Sequence, residues 1–495
     1  MKPFPQLENA EHHTQTVGAN PWTAHSDICQ LQRVINMRHV HNISLSAWLA
    51  IATATTVSAQ SSLLPDAEIE QELEKTRTAI RESENSVDRL DRSMLEPLNQ
   101  LGSQLMDAGE YDEAHSVLDH EAQIIRASEG LFSPTQIPVL LRRIENYGYQ
   151  RDWDNARESI GHLDWLLTSN EYEIDETFLE SLLSLVDIHL WGVADDRPDL
   201  QDFHFRRAKR LNDLAIRAAI HVWGENNKRL PALRYKLVIQ IYLQTASVEV
   251  GGSTGIALRR YSESGLTLSR KDARLSFYYT GLGLLGRSLD LYANQPSPDL
   301  EGMALTSMYI GDWNVLFGNS EAAAQAYARS HELLLESGIE LQQINQYFAQ
   351  PKLLPDLEFA DNWVAAMATL NDKPETALAG VDSVALNFQQ WSVKFPYHLA
   401  PVALGTEPIT VPEEDYAMFS FSLDGLEEVA HYYKGRRKTA VSSPRNLELL
   451  SQNFNKQINR LDLEDTIMSF HFRPKLVDGI PQPVNSTLIY QLAPQ

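Results

Sequence analysis

The chain has 495 residues and a net charge of −24, with 43% hydrophobic and 9% aromatic residues. That length admits two or more domains, and that composition is ordinary for packed globular protein and excludes wholesale disorder. The negative balance argues against broad attraction to nucleic acid or anionic membrane, and the single cysteine, Cys29, excludes an intrachain disulfide or a CxxC motif.

Residues 37–59 read MRHVHNISLSAWLAIATATTVSA, in which Arg38 and two histidines precede an apolar run from Ile43 to Val57. A basic start, a short apolar core and small residues before the cut are the layout of a secretory signal peptide. Cleavage is expected between Ala59 and Gln60. The run is shorter than the roughly 20 residues that span a bilayer, so stable membrane insertion of the mature chain is not expected. A signal peptide belongs at the start of a chain, so Met37 is the expected first residue and residues 1–36 an over-extended N-terminus. Removal of residues 1–59 leaves the net charge unchanged, because Lys2, Arg33 and Arg38 are matched by Glu8, Glu11 and Asp27. Gln60 is not a cysteine, so a lipid anchor is not indicated. The expected location is periplasmic or secreted.

Residues 60–96 mix Glu, Lys and Arg and read as a solvated helical lead-in. Next comes LGSQLMDAGEYDEAHSVLDHEA, from Leu101 to Ala122. Leu98, Leu101 and Leu105 share one helix face. Gly109 supplies a turn that needs positive φ, and a second helix is expected from Tyr111. Gly102 and Ala114 are small enough for two antiparallel helices to pack closely. Such a hairpin cannot bury its apolar faces alone and implies neighbours.

Two further stretches repeat the pattern. Tyr147, Trp153 and Ala156 follow Leu105, Tyr111 and Ala114 at a shift of 42 residues, and Ile310, Gly311, Gly318, Ala323, Tyr327 and Ser330 fit the same template. On these residues the segment resembles a tetratricopeptide repeat (TPR), with Glu121 standing where that family has a small residue. The resemblance implies a helical-hairpin solenoid over residues 97–350 whose concave surface takes a protein or peptide. Between the copies, Phe178, Leu179, Leu182, Val186 and Leu190 form a helical stripe. Leu211, Leu214, Ala215, Ala218 and Val222 form another, ended by Gly224. Residues 231–247 and 272–293 continue the helical pattern.

Seven prolines between Pro351 and Pro412 break long helices. Residues 351–414 read as a Pro-rich linker with short helices at 357–370 and 375–390. In the tail, residues 415–495, Phe419, Phe421 and Leu423 alternate as a half-buried strand, Asp424-Gly425 turns, and residues 427–433 return. Pro444 opens an expected helix after Ser443, with Leu447, Leu450, Phe454 and Ile458 as its stripe. Residues 468–475, a turn at Asp478-Gly479 and a strand over 486–492 close the chain. FSFSLDGLEEV, the helix after it, Arg473-Pro474, Asp478-Gly479 and Pro483-Val484 resemble the C-terminal domain of TonB-type energy transducers. That resemblance implies contact with an envelope protein. The expected fold class is therefore mainly α, a TPR-like solenoid followed by a small α+β domain.

Chemistry-bearing motifs are sparse. Gly251-Gly252-Ser253-Thr254-Gly255 matches the nucleophile elbow, but its surroundings are helical and lack alternating βα units, so a loop is the expected reading. HExxH and Walker patterns are missing from the sequence. The basic word from Lys434 to Lys438 reads as a solvated turn. No catalytic residue, cofactor or metal ligand is expected. The expectation is a non-enzymatic interaction or scaffold protein of the bacterial cell envelope with a protein or peptide partner. The alternatives are a membrane-anchored transducer and a hydrolase at Ser253.

Overall fold

The structure is a computed structural model. It describes residues 66–84, 87–169, 173–197, 199–250, 270–356, 358–371, 384–387, 416–433, 436–453, 460–468 and 470–491. The signal segment with Ala59 and Gln60, the Gly251–Gly255 motif and residues 391–414 lie outside the described residues.

The described chain is mainly helical, with a small β region at its C-terminal end. Helix α1 (Asp66–Glu84) packs on α2 (Leu95–Asp107). It is not wholly solvated, because Leu73 and Ile80 join Met94, Leu98, Leu101 and Leu105 in one buried cluster. After that the helices pack in consecutive pairs. These are α2 with α3 (Tyr111–Glu129), α4 (Ile137–Tyr149) with α5 (Trp153–Ser169), and α6 (Glu176–Asp195) with α7 (Gln201–Trp223). They continue with α8 (Leu230–Val250) against α9 (Arg270–Ala293), and α10 (Leu300–Leu316) against α11 (Ser320–Glu336). Each hairpin also touches the next, and α4 lies against α6.

Starts and stops follow local chemistry. Asp175, Asp299 and Asn319 cap α6, α10 and α11, each side chain accepting from a backbone N–H in the first turn. Such a cap contributes about 1 kcal/mol. Gly224 ends α7 with φ +87°. Helix α10 is buried nearly all round, from Ala304 through Leu316, as expected of a helix at the centre of a core.

Residues 351–371 are not a linker. After α12 (Leu341–Tyr347), β1 (Lys352–Leu354) pairs antiparallel with β7 (His471–Arg473). Leu354, Ala360, Trp363 and Ala366 are buried in the same cluster as Tyr309, Trp313 and Tyr327 of the helices. Helix α13 (Trp363–Asn371) falls within the expected 357–370. The expected helix over 375–390 is replaced, in its described part, by strand β2 (Val384–Asn387).

The tail forms a sheet in the order β2, β9 (Ile480–Gln491), β3 (Tyr416–Asp424), β6 (Arg445–Asn453), with β8 (Lys475–Val477) pairing the start of β9. Strand β3 (Tyr416–Asp424) alternates strictly, burying Ala417, Phe419, Phe421 and Leu423. Gly425 takes φ +62° in the turn after it. The return strand β4 (Glu428–Tyr433) does not pair with β3; it makes a hairpin with β5 (Arg436–Val441), so Arg436, Arg437 and Lys438 lie on a strand rather than a turn.

The expected helix after Pro444 is overturned. Residues Arg445–Asn453 form strand β6, antiparallel to β3. Leu447 and Leu449 pack on the core while Leu450 stays 49% exposed, a two-residue alternation. Leu447 and Leu450 also fit helical spacing, and a short apolar stretch does not separate the two readings. Pairing with the edge of β3 decides it. Ser443 makes no cap; its hydroxyl has no partner. The helix of this region comes later, α14 (Arg460–Ile467).

Candidate functional site

Three hairpin turns share one hydrogen-bond pattern. In the first, the N–H of Gly109 donates to Met106 O and that of Glu110 to Leu105 O, and Ala114 N–H returns to Glu110 O. In the second, Arg151, Asp152 and Ala156 donate to Gly148, Tyr147 and Asp152. In the third, Gly318, Asn319 and Ala323 donate to Val315, Asn314 and Asn319. The residue that turns left-handed is Gly109 (φ +77°), Arg151 (φ +57°) and Gly318 (φ +78°) respectively. Arg151 sits where glycine is favoured, so its turn was hidden in the sequence.

The expected packing residues fall around these turns. Ala114, Ala156 and Ala323 are fully buried where the second helix crosses the first. A Cβ on Gly102 would meet Leu118 Cδ2 at 3.2 Å, and one on Gly311 would meet the Tyr327 ring at 2.5 Å. The sequence did not flag two further close approaches, Gly148 under the Trp191 ring and Gly192 under the His204 ring. Glu121, out of place in the repeat pattern, is buried because Arg142 Nη2 donates to both its carboxylate oxygens at 2.7 Å.

Along the first three hairpins the rings form a ladder. Tyr111 stacks on Tyr149 with centroids 5.4 Å apart, Tyr149 meets Trp191 at 5.2 Å, and Trp191 meets Trp153 edge-on at 5.5 Å. Trp153 is buried and its Nε1–H donates to Asp195 at 3.1 Å; Tyr111, Tyr149 and Trp191 are half-buried. Tyr147 points elsewhere, 2.9 Å from His115 Nε2. Two carboxylates stand beside the ladder. Burial raises the Asp107 carboxyl, and burial raises that of Glu145 against the pull of Arg142. Burial, then Glu145, Tyr111 and Asp107, push up the Tyr149 phenol, and Glu145 lies one helical turn before Tyr149 on α4.

Two buried polar networks lie deeper. In the α6–α7 hairpin, His204 Nε2 is 2.9 Å from Asp196 Oδ2, and its Nδ1 is 2.9 Å from His189 Nδ1. The carboxylate accepts from Nε2–H, so His204 Nδ1 accepts and His189 Nδ1–H donates. Arg157 Nη1 donates to the same Asp196 oxygen at 2.5 Å. Both imidazoles are wholly buried, and among the described residues no serine or threonine hydroxyl is hydrogen-bonded to them. The arrangement orients helices and has the parts of an acid–base pair without a nucleophile.

The second network joins helices to sheet. Arg473 on β7 donates through Nε to Asp312 Oδ1 of α10 at 2.9 Å and through Nη2 to Oδ2. Tyr327 O–H donates to the same Oδ1 at 2.8 Å. Asp356 stands 3.6 Å from Arg473 and 2.7 Å from Lys352 Nζ. Two carboxylates thus face two cations. Burial opposes the charge on Arg473, but Asp312 outweighs it and the guanidinium is held charged. Arg473, from the Arg473-Pro474 word of the tail, is therefore one half of a core ion pair with Asp312.

Among the described residues no group of three or more His, Cys, Asp or Glu could hold a metal ion. No helix among them is long and apolar enough to cross a membrane. No protein-family model matches the chain, and no curated protein matches it.

Proposed function

We propose that the chain is a non-enzymatic interaction protein of the bacterial cell envelope, exported by the 37–59 segment and cut after Ala59. The observation that carries this reading is the recurrence of one hairpin turn at Gly109, Arg151 and Gly318, with an alanine at each crossing. Stacked hairpins of this kind, TPR-like in residue pattern, present a continuous surface along their first helices, a general device for holding a protein or peptide. The half-buried aromatic ladder on α3, α4 and α6 suits that role, because aromatic side chains supply large contact area at low entropic cost. The order β3, β6, α14, β9, with the β4–β5 hairpin and short β7 and β8 between, is what supports the likeness of the tail to a TonB-type C-terminal domain.

Two measurements test the reading. The mature protein should begin at Gln60, read by N-terminal sequencing of the exported product; an intact precursor held in the membrane fraction favours the anchored transducer instead. Cross-linked affinity capture from envelope extract should yield a discrete partner whose cross-links map to α2–α7. Retention of no partner by the folded mature protein would remove the proposal.

A further inference from the structure

Several features of the molecule lack a role, among them the exposed Phe132–Trp165 pair and the His189–His204 pair. The aromatic ladder carries the most chemistry. Its rings come from three helices of successive hairpins: Tyr111 on α3, Tyr149 on α4 and Trp191 on α6. Asp107 and Tyr149 hold the same place in their hairpins, 42 residues apart, and Glu145 lies one helical turn before Tyr149 on the same face. Asp107 is exposed and Glu145 half-buried, and neither has an ion pair within 4 Å among the described residues. The nearby cations are already engaged: Arg142 with Glu121, Arg143 with Asp119, and Arg151 facing Asp195 at 3.7 Å.

We propose that the Tyr111–Tyr149–Trp191 strip, with Asp107 and Glu145 beside it, docks a Lys- or Arg-bearing segment of a partner protein. The claim deepens the interaction reading above and rests on it. Ring faces attract a cation through their quadrupole, Trp most strongly. A carboxylate with no cation of its own gains from an incoming ammonium or guanidinium, half-buried Glu145 more than exposed Asp107. An acidic segment meets like charge here and has no donor to bind. An apolar segment covers the rings but leaves two carboxylates unpaired. Charge complementarity therefore selects a basic occupant.

The test uses the full chain and two short fluorescent peptides, one alternating Lys with Gly and one alternating Glu with Gly, followed by fluorescence anisotropy. The Lys peptide should bind and the Glu peptide should not. Asp107→Asn with Glu145→Gln should weaken Lys-peptide binding about tenfold. Tyr149→Leu should weaken it about threefold. Because an acidic chain attracts any polycation, Glu427→Gln with Glu448→Gln, two exposed carboxylates of the tail, serves as the control and should change binding less than about twofold. If Glu145→Gln unfolds the hairpin, Asp107→Asn alone alters an exposed side chain and should still give about a threefold loss. Equal losses in the site and control variants overturn the proposal, as does binding of the Glu peptide or no binding of the Lys peptide. If the peptides fail while capture from envelope extract persists, the basic occupant falls and the interaction reading stands.

Discussion

Gly311 and Arg151 show how differently single positions are constrained in one kind of hairpin. At Gly311 the limit is space, since an added Cβ would lie 2.5 Å from the Tyr327 ring. Alanine has the better helix propensity, by about 1 kcal/mol, but overpacking of a core contact costs about 1–3 kcal/mol. Gly311→Ala should therefore lower stability, read as a reduced urea midpoint; an unchanged or higher midpoint would contradict the packing argument. At Arg151 the limit is the backbone, φ +57°, in a region that costs an ordinary residue about 1–2 kcal/mol. Arg151→Gly should raise stability by up to about 1 kcal/mol once the greater freedom of unfolded glycine is subtracted. A loss of stability there would show that the side chain, 3.7 Å from Asp195, contributes more than the turn strains. The composition of a turn and its shape are separable: Gly109 and Gly318 advertise theirs, and Arg151 does not.

At the scale of the element, the α6–α7 hairpin contains a buried histidine pair whose state depends on pH. Burial comes first in holding both imidazoles below the usual 6.5; His204 and Arg207 add to it at His189, and Asp196 opposes it at His204. The unfolded chain takes up protons as pH falls below 6.5, and the folded hairpin does not. Stability is thus highest above 6.5 and declines as pH falls toward the folded-state values, by up to about 1.4 kcal/mol per histidine per pH unit. A proton added to His204 Nδ1 would also face the N–H of His189, whose other nitrogen has no partner. His189→Phe should flatten the fall in urea midpoint between about pH 7.5 and about pH 5.5 relative to the parent chain; identical slopes would assign the pH dependence elsewhere.

Elements also show where sequence reasoning reaches its limit. Helices with long apolar stripes were legible, as at Phe178 to Leu190, because thirteen residues of pattern admit only one period. Strand β6 was not: Leu447, Leu449 and Leu450 satisfy both periods, and the deciding contact, β3, is supplied from elsewhere in the chain. The aromatic ladder was half legible. Tyr111, Tyr147 and Trp153 stood out by spacing, while Tyr149, Trp191 and Glu145 gain meaning only when three hairpins lie side by side. The partners of Arg473 lie more than one hundred residues away in sequence, and no local signal links them.

For the molecule as a whole, helices and tail share one core. Tyr309, Trp313 and Tyr327 lie in the same buried cluster as Trp363, Phe419 and Phe472. Arg473 crosses between them to Asp312, and Leu476 N–H donates to Phe348 O at 3.0 Å. Arg473→Met removes a buried member of the charge set and leaves Asp312 and Asp356 with half-buried Lys352 alone. The expected loss is about 3–5 kcal/mol, with α10 and the sheet unfolding together in one calorimetric transition. A second, separate transition for the tail would show the two to be independent.

The β1–β7 ladder has one more consequence. Its two strands are 119 residues apart along the chain, pairing Lys352 with Arg473 and Leu354 with His471. A fusion that moves residues 415–495 onto another carrier leaves β1 behind and strips β7 of its neighbour. The tail is not a portable cassette, and recombination that preserves it must carry its cut upstream of Lys352 and bring α10 and α11 along.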